Sequence, residues 1–320
     1  MKMNIKNILV IAQKEFADII WSPRFIVILA VLMVAVLASG YQAGQSMARM
    51  AEQSGFVGMG ITLNPLMIGF QSFTYLFGST GALVAIVLGF DAIVRERKSG
   101  SLNVLMTHPV YRDNVITGKL VGMMAALGVV IVVAVAVPVG IMLSISGISV
   151  NPEELSRIIV YVALAFLLLS IYLALGIATS TFCKEPSNSL VYSLAVWVVL
   201  GTLLMQIAFI LAGIITGQSI YSMQGPEDSE NFFAVAHQIS QLSPLTHFQD
   251  LISGSSSGMV VSMDVSSGST STVMRGLFDM NHTLGYWMQQ YWVNLMVLIV
   301  TPVILLVVSF ISFMRQDITL

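Results

Sequence analysis

Long apolar runs alternate with short polar segments along this chain, and six of them stand out: residues 25–41, 66–93, 120–146, 158–182, 190–216 and 286–314. A helix needs roughly 20 mostly apolar residues to cross a hydrocarbon layer about 30 Å thick. The six runs approach or exceed that length, so the pattern predicts six membrane-spanning helices. The first is the shortest, and it spans only if Ser22, Pro23 and the Gly40 end sit in the interfaces. Ahead of it, Ile5, Ile8, Leu9, Ala12, Phe16, Ile19 and Ile20 recur at helical spacing among Lys2, Lys6, Lys14, Glu15 and Asp18. That spacing predicts an amphipathic helix lying along the membrane surface, ended by Pro23 and retained because no cleavage pattern of small residues follows.

The polar segments differ in character. Residues 42–65 form a Gly- and Met-rich loop, and 147–157 a short one. In the short loop, Asn151, Pro152, Glu153 and Glu154 make a helix start, with a cap acceptor, Pro at the first helical position and negative charge in the first turn. Residues 217–285 are the sizeable polar segment. Phe232, Val235, Ala236, Ile239 and Leu242 suggest one short amphipathic helix, Ser243-Pro244 breaks it, and Leu245, Phe248, Leu251 and Ile252 begin another. Residues 253–272 are rich in Ser and Gly and read as a flexible or hairpin loop.

Composition agrees with this layout: 56% of the 320 residues are hydrophobic and 9% charged, against about 25% charged in a soluble domain. The charge that exists is sorted. With the N-terminus inside, eleven basic residues fall on one side (Lys2, Lys6, Lys14, Arg24, Arg95, Arg97, Lys98, Arg112, Lys119, Lys184 and Arg315), and Arg49, Arg157 and Arg275 on the other. Basic residues near span ends are retained in the cytoplasm, so both termini are expected there.

The span interiors carry no Asp, Glu, Lys, Arg or His. A buried charge costs about 2.5–3.5 kcal/mol at a helix centre and is kept mainly for proton relays or ion sites. Its absence argues against a proton-coupled transporter, an ion pump or a buried catalytic site. His108, His237, His247 and His282 are read as solvated loop residues without metal-ligand spacing, and Cys183 as a lone apolar filler. Met47, Met50 and Met59 lack the tight spacing of a copper site. Gly40-to-Gly44, Gly118-to-Gly122 and Gly213-to-Gly217 have GxxxG spacing, which is frequent in membrane helices. Gly118-Lys119 is followed by Leu120 and lacks the earlier Gly of a phosphate-cradling loop, so no ATP hydrolysis is expected from this chain. No catalytic, cofactor or metal residue is assigned, and nucleic acid is not an expected partner.

The most informative stretch is the polar island from Glu96 to Lys119, ERKSGSLNVLMTHPVYRDNVITGK, which holds or adjoins five of the fourteen basic residues. It resembles the cytoplasmic loop between the second and third spans of ABC-2 type exporter permeases. The matching features are Glu96-Arg97, Gly100-Ser101-Leu102, Leu105, Pro109-Val110-Tyr111-Arg112 and Gly118-Lys119. The layout is similar over the whole chain, including a minimal second loop at 183–189 and Ser243-Pro244-Leu245 in the outer segment. Single-domain permeases, among them those linked to maturation of copper enzymes, are closest in layout.

The resemblance implies an all-α polytopic membrane protein of ABC-2 (type V exporter-like) fold. Its parts would be an interfacial helix at 1–22, spans one to five at 23–217 with a coupling loop at 94–119, an extracytoplasmic segment at 218–285, and the last span and tail at 286–320. It also implies a permease subunit in the plasma membrane, surrounded by lipid and exporting a substrate with a separate ATPase subunit that holds ATP and Mg2+. Leu102, Leu105 and Met106 would dock in a groove of that ATPase. Glu96, Arg97, Lys98 and Arg112 would line the rim, with Gly100, Pro109, Gly118 and Lys119 shaping the loop. A second permease chain, identical or paralogous, would complete the path, with Gln71, Ser72, Thr74, Thr202 and Gln206 as neutral candidates lining it. A membrane scaffold or assembly factor whose outer segment recruits a partner is the alternative reading.

Overall fold

A computed structural model describes residues 5–52, 65–99, 112–218, 226–254, 261–264, 269–272 and 276–315. Among them are six helices long and apolar enough to cross a membrane: Pro23–Arg49, Pro65–Gly89, Asn114–Ser146, Pro152–Phe182, Pro186–Thr216 and Trp292–Arg315. In chain order the elements are α1 (Ile5–Ile20), α2 (Pro23–Glu52), α3 (Pro65–Gly89), α4 (Val94–Ser99), α5 (Arg112–Ser146) and α6 (Pro152–Phe182). They continue with α7 (Pro186–Val198), a π-helical turn (Val199–Leu203), α8 (Leu204–Thr216), α9 (Pro226–Ser240) and α10 (Pro244–Ser253). A hairpin of β1 (Val261–Asp264) and β2 (Ser269–Thr272) follows, with Val261 opposite Thr272, then α11 (Leu284–Gln290) and α12 (Trp292–Arg315).

Local chemistry explains most of these boundaries. Ser22 Oγ accepts from the Phe25 backbone N–H and Pro23 occupies the first turn, so α1 ends and α2 begins within two residues. At α6 the Glu154 carboxylate accepts from the Asn151 N–H at 2.8 Å, the back half of a capping box. Ser243 Oγ caps α10 through the Leu245 N–H. Gly217, at φ 69°, ends α8 in the left-handed region.

Several expectations change. The first span is not short, because α2 continues through Gln42 to Glu52 and takes the start of the expected loop into the helix. The third-element helix stops at Gly89, ahead of Ile93, because residues 91–93 turn to begin α4. The last span begins at Trp292, and the preceding apolar residues form the separate helix α11.

The core is built on α3 and α6. In their most apolar windows 61% of α3 and 56% of α6 are buried, against 17% for the α7–α8 span and 17% for α12. The last two therefore present most of their apolar surface outward, as lipid- or partner-facing helices do. At the end of the bundle away from α4, α10 is not a surface helix. It inserts Leu245, Phe248, Leu251 and Ile252 into the core beside Phe70, Phe73, Phe77, Tyr161 and Phe278, with Phe70 and Phe278 stacked at 4.1 Å.

Candidate functional site on the basic face

The polar island starts from a rigid base. Where α3 gives way to α4, Ser180 Oγ on α6 accepts from the Ile93 and Val94 N–H groups, at 3.0 and 3.1 Å. These are donors that the start of a helix leaves without intrahelical partners. In return, Arg97 on α4 donates to the carbonyls of Thr181 (3.0 Å) and Cys183 (3.4 Å), which the end of α6 leaves free. Its positive charge also suits the negative end of the α6 dipole. Partial burial lowers the Arg97 pKa from the usual guanidinium value. Each helix thus caps the other.

Three consecutive hydroxyl residues at the end of α6 serve three different neighbours. Thr179 Oγ1 lies 2.6 Å from Ser193 Oγ and accepts from Ser189 Oγ at 3.1 Å, both on α7. Ser180 holds α4. Thr181 Oγ1 lies 2.9 Å from Ser309 Oγ on α12. The run Thr179-Ser180-Thr181 is visible in the sequence as polar residues closing a span. Its three targets are not, because they lie up to 128 positions away.

The N-terminal helix docks on the other side of the island. Two of the GxxxG pairs are close-approach sites, as only residues without a Cβ allow. A Cβ at Gly122 would fall 2.7 Å from the Ala12 carbonyl oxygen, and one at Gly118 would fall 2.8 Å from Ile11. Likewise Gly40 faces Pro138 of α5 at 2.8 Å. Lys119 Nζ closes the α1 joint with a 2.7 Å bond to Glu15 Oε1. So α1 buries Ile8 and Ala12 against α5 while Ile5, Leu9 and Val10 stay exposed, leaving an apolar edge for the membrane surface. Asp91, at the α3–α4 turn, lies 3.5 Å from Arg24 and 4.0 Å from Arg95. Burial pushes its carboxyl above the ordinary value, and the charges of Arg95, Arg24 and Lys119 act against that shift.

Of the residues expected to carry the site, Arg97, Gly118 and Lys119 are placed as above. Gly100, Leu102, Leu105, Met106 and Pro109 lie outside the described residues; Glu96 lies within α4, and Arg112 is the first residue of α5. Among the neutral candidates at membrane depth, Gln71, Ser72, Thr202 and Gln206 are exposed on the surface of the protomer. Thr74 differs: it is buried, donating to the Phe70 carbonyl and lying 3.4 Å from the Tyr161 hydroxyl, so it holds helices together. Cys183 is half-buried at the α6 C-cap, and its carbonyl is in use.

The reading of the histidines is corrected for two of them. His237 and His247 are buried on α9 and α10. His237 Nε2 lies 2.9 Å from both Asp250 oxygens, His247 Nδ1 3.2 Å from Asn294 Oδ1, and Asn294 Nδ2 3.5 Å from Asp250 Oδ2. Arg157, placed by sequence in an outer loop, is fully buried on α6 and donates to the carbonyls of Leu277, Asp279 and His282 and to Glu153. Hydropathy could not find these groups, since a polar residue in a polar segment carries no burial signal. Among the described residues no cluster of three or more His, Cys, Asp or Glu could hold a metal ion.

A family model described as ABC-2 family transporter protein matches residues 9–318. The chain is 28% identical over 195 residues to the probable ABC transporter permease protein NosY of Pseudomonas aeruginosa, covering 58% of this chain and 64% of that protein. It is 28% identical over 194 residues to the probable ABC transporter permease protein NosY of Stutzerimonas stutzeri, with the same 58% and 64% coverage. The match thus spans slightly under two thirds of each relative's length.

Proposed function

The chain belongs to the ABC-2 family of transporter proteins, and from that premise we propose that it is the permease of an ATP-driven transporter, exporting a substrate across the cytoplasmic membrane. The named relatives are described as permeases, which supports this reading. ATP and Mg2+ would be bound by a separate ATPase subunit, and this chain would do no hydrolysis itself. The basic face, with both termini, would lie in the cytoplasm, following the eleven-to-three sorting of Lys and Arg.

The observation that carries the mechanism is the mutual capping of α4 and α6. A force on the coupling loop 94–119 would pass through Ser180 and Arg97 into α6, and from Thr179 and Thr181 into α7 and α12. Buried hydrogen bonds and close helix packing transmit such a push because they deform little. In this reading Leu102, Leu105 and Met106 form the apolar face of the coupling helix, and Glu96, Arg97, Lys98 and Arg112 its polar rim. ATPase closure around ATP would then tilt the spans.

The exposure of Gln71, Ser72, Thr202 and Gln206 supports a second permease chain, identical or paralogous. Neutral polar groups facing lipid lack partners, whereas a facing copy or a wet path supplies them. A pull-down from native membranes tests the coupling role. Wild type should bring down a nucleotide-binding subunit, and Leu105→Asp should lose it while inserting normally. Undiminished ATPase recovery with the variant would refute the coupling role, and no ATPase with wild type would favour the scaffold reading.

A further inference from the structure

A cavity of about 610 Å3 opens on the basic face between α1, the start of α2, the end of α3 and the start of α5. That volume falls in the range of about 300–1,000 Å3 in which small-molecule sites occur. Its charged rim balances unevenly. Lys119 is matched by Glu15 at 2.7 Å, and Lys14 by the charge of Asp18, but Arg24 and Arg95 share one carboxylate. Both lean on the same oxygen of Asp91, at 3.5 and 4.0 Å, with side chains 72% and 74% exposed. Each guanidinium has five donors, so one shared oxygen leaves most of them open, with one net positive charge at the rim. Below the rim the wall turns apolar at Ile28, Val84, Val87 and Leu88, where α2 and α3 enter the membrane.

We propose that this cavity binds a phospholipid of the leaflet on the basic face. The phosphate sits between Arg24 and Arg95, and the glycerol and upper acyl chain lie against Ile28, Val87 and Leu88. One surplus positive charge matches one phosphodiester, and basic pockets between membrane helices are suited to lipid head groups. Free phosphate would use the rim alone. The apolar wall is what favours the lipid, and a lipid seated there bridges α1, α2 and the α3–α4 turn beside the base of the island. The site follows from the fold and does not depend on what the chain transports.

The test uses the full chain, purified in mild detergent, stripped of lipid and titrated with phosphatidylglycerol in mixed micelles. Native mass spectrometry counts bound lipid, with inorganic phosphate and deacylated glycerophosphoglycerol as separate competitors. Wild type should retain one lipid, and Arg24→Gln with Arg95→Gln should weaken retention about thirtyfold, two surface basic contacts' worth. Lys184→Ala, which removes one basic charge on the same face outside the cavity, should change nothing. Val87→Trp should expel the lipid with every charge intact, and it decides the matter if the double variant fails to fold. Equal retention by wild type and both cavity variants overturns the proposal. Competition by inorganic phosphate at the lipid's own affinity overturns it too, because the wall would then contribute nothing.

Discussion

Gly89 on α3 and Gly176 on α6 meet back to back: a Cβ on Gly89 would fall 2.7 Å from the Leu173 carbonyl oxygen, and one on Gly176 would fall 2.9 Å from the Ile86 carbonyl oxygen. Each glycine receives the other helix's backbone, so the two most buried spans cross at nearly main-chain contact. The crossing lies one turn from Ser180 and from the start of α4, where the polar island begins.

Gly89→Ala and Gly176→Ala should therefore each destabilise the protein by about 1–3 kcal/mol, because the obstruction is backbone and cannot rotate away. Gly140→Ala, with nothing within 4 Å, should be neutral or gain up to about 1 kcal/mol from helix propensity. Thermal unfolding in detergent separates the two classes, and equal behaviour of all three variants would show that the contact has no energetic weight.

Removing the Ser180 hydroxyl strands two buried N–H donors. Ser180→Ala should cost about 0.5–2 kcal/mol, the usual range for a lost cap. The loss should be local, seen as faster amide exchange at Ile93 and Val94, and Ser180→Thr should restore slow exchange. Unchanged exchange in the Ala variant would remove Ser180 from the base of the island.

The α1 joint can be examined by a double-mutant cycle. Lys119 and Glu15 have side chains 10% and 17% exposed, so their pairing is screened less than a surface bridge. Glu15→Ala and Lys119→Ala should couple by about 1–3 kcal/mol. A coupling energy near zero would mean that the glycines alone hold α1 in place.

Asp91 makes stability fall with rising pH. Its folded-state pKa is raised by burial, so the folded protein holds that proton to higher pH than the unfolded chain does. The group is neutral to stability below its ordinary carboxylate range, and its destabilisation appears as pH rises through the folded value. Asp91→Asn should melt higher than wild type at neutral pH, with the gap closing as pH approaches 4. A gap that widened on acidification would mean that the Arg24 and Arg95 pairings outweigh desolvation.

At the end of α6 opposite Ser180, Arg157 bonds three backbone carbonyls of the segment before α11. Arg157→Ala should cost about 3 kcal/mol or more by leaving buried acceptors unpaired, and should open residues 276–282 to protease. Arg157→Lys should recover only part of that loss, because a single ammonium cannot reproduce the guanidinium's planar fork. Protease resistance equal to wild type in the Ala variant would show that other contacts hold this segment.

The sequence by itself determined the class of this protein. Six apolar runs specify the spans, and turn chemistry such as Ser22-Pro23 and Asn151-Pro152 fixes where two of them begin, because bilayer thickness and local capping act on neighbouring residues. The island from Glu96 to Lys119 likewise stood out as a polar interruption with the family's pattern. Tertiary structure alone decided which polar residues are buried and what they hold. His237 and Arg157 looked like loop residues, and Gly89 and Gly176 have no GxxxG partner to announce them. Thr179, Ser180 and Thr181 gave no sign of their three separate targets. Pairings across tens of residues depend on how helices cross, and a hydropathy pattern fixes each helix's existence without fixing its neighbours.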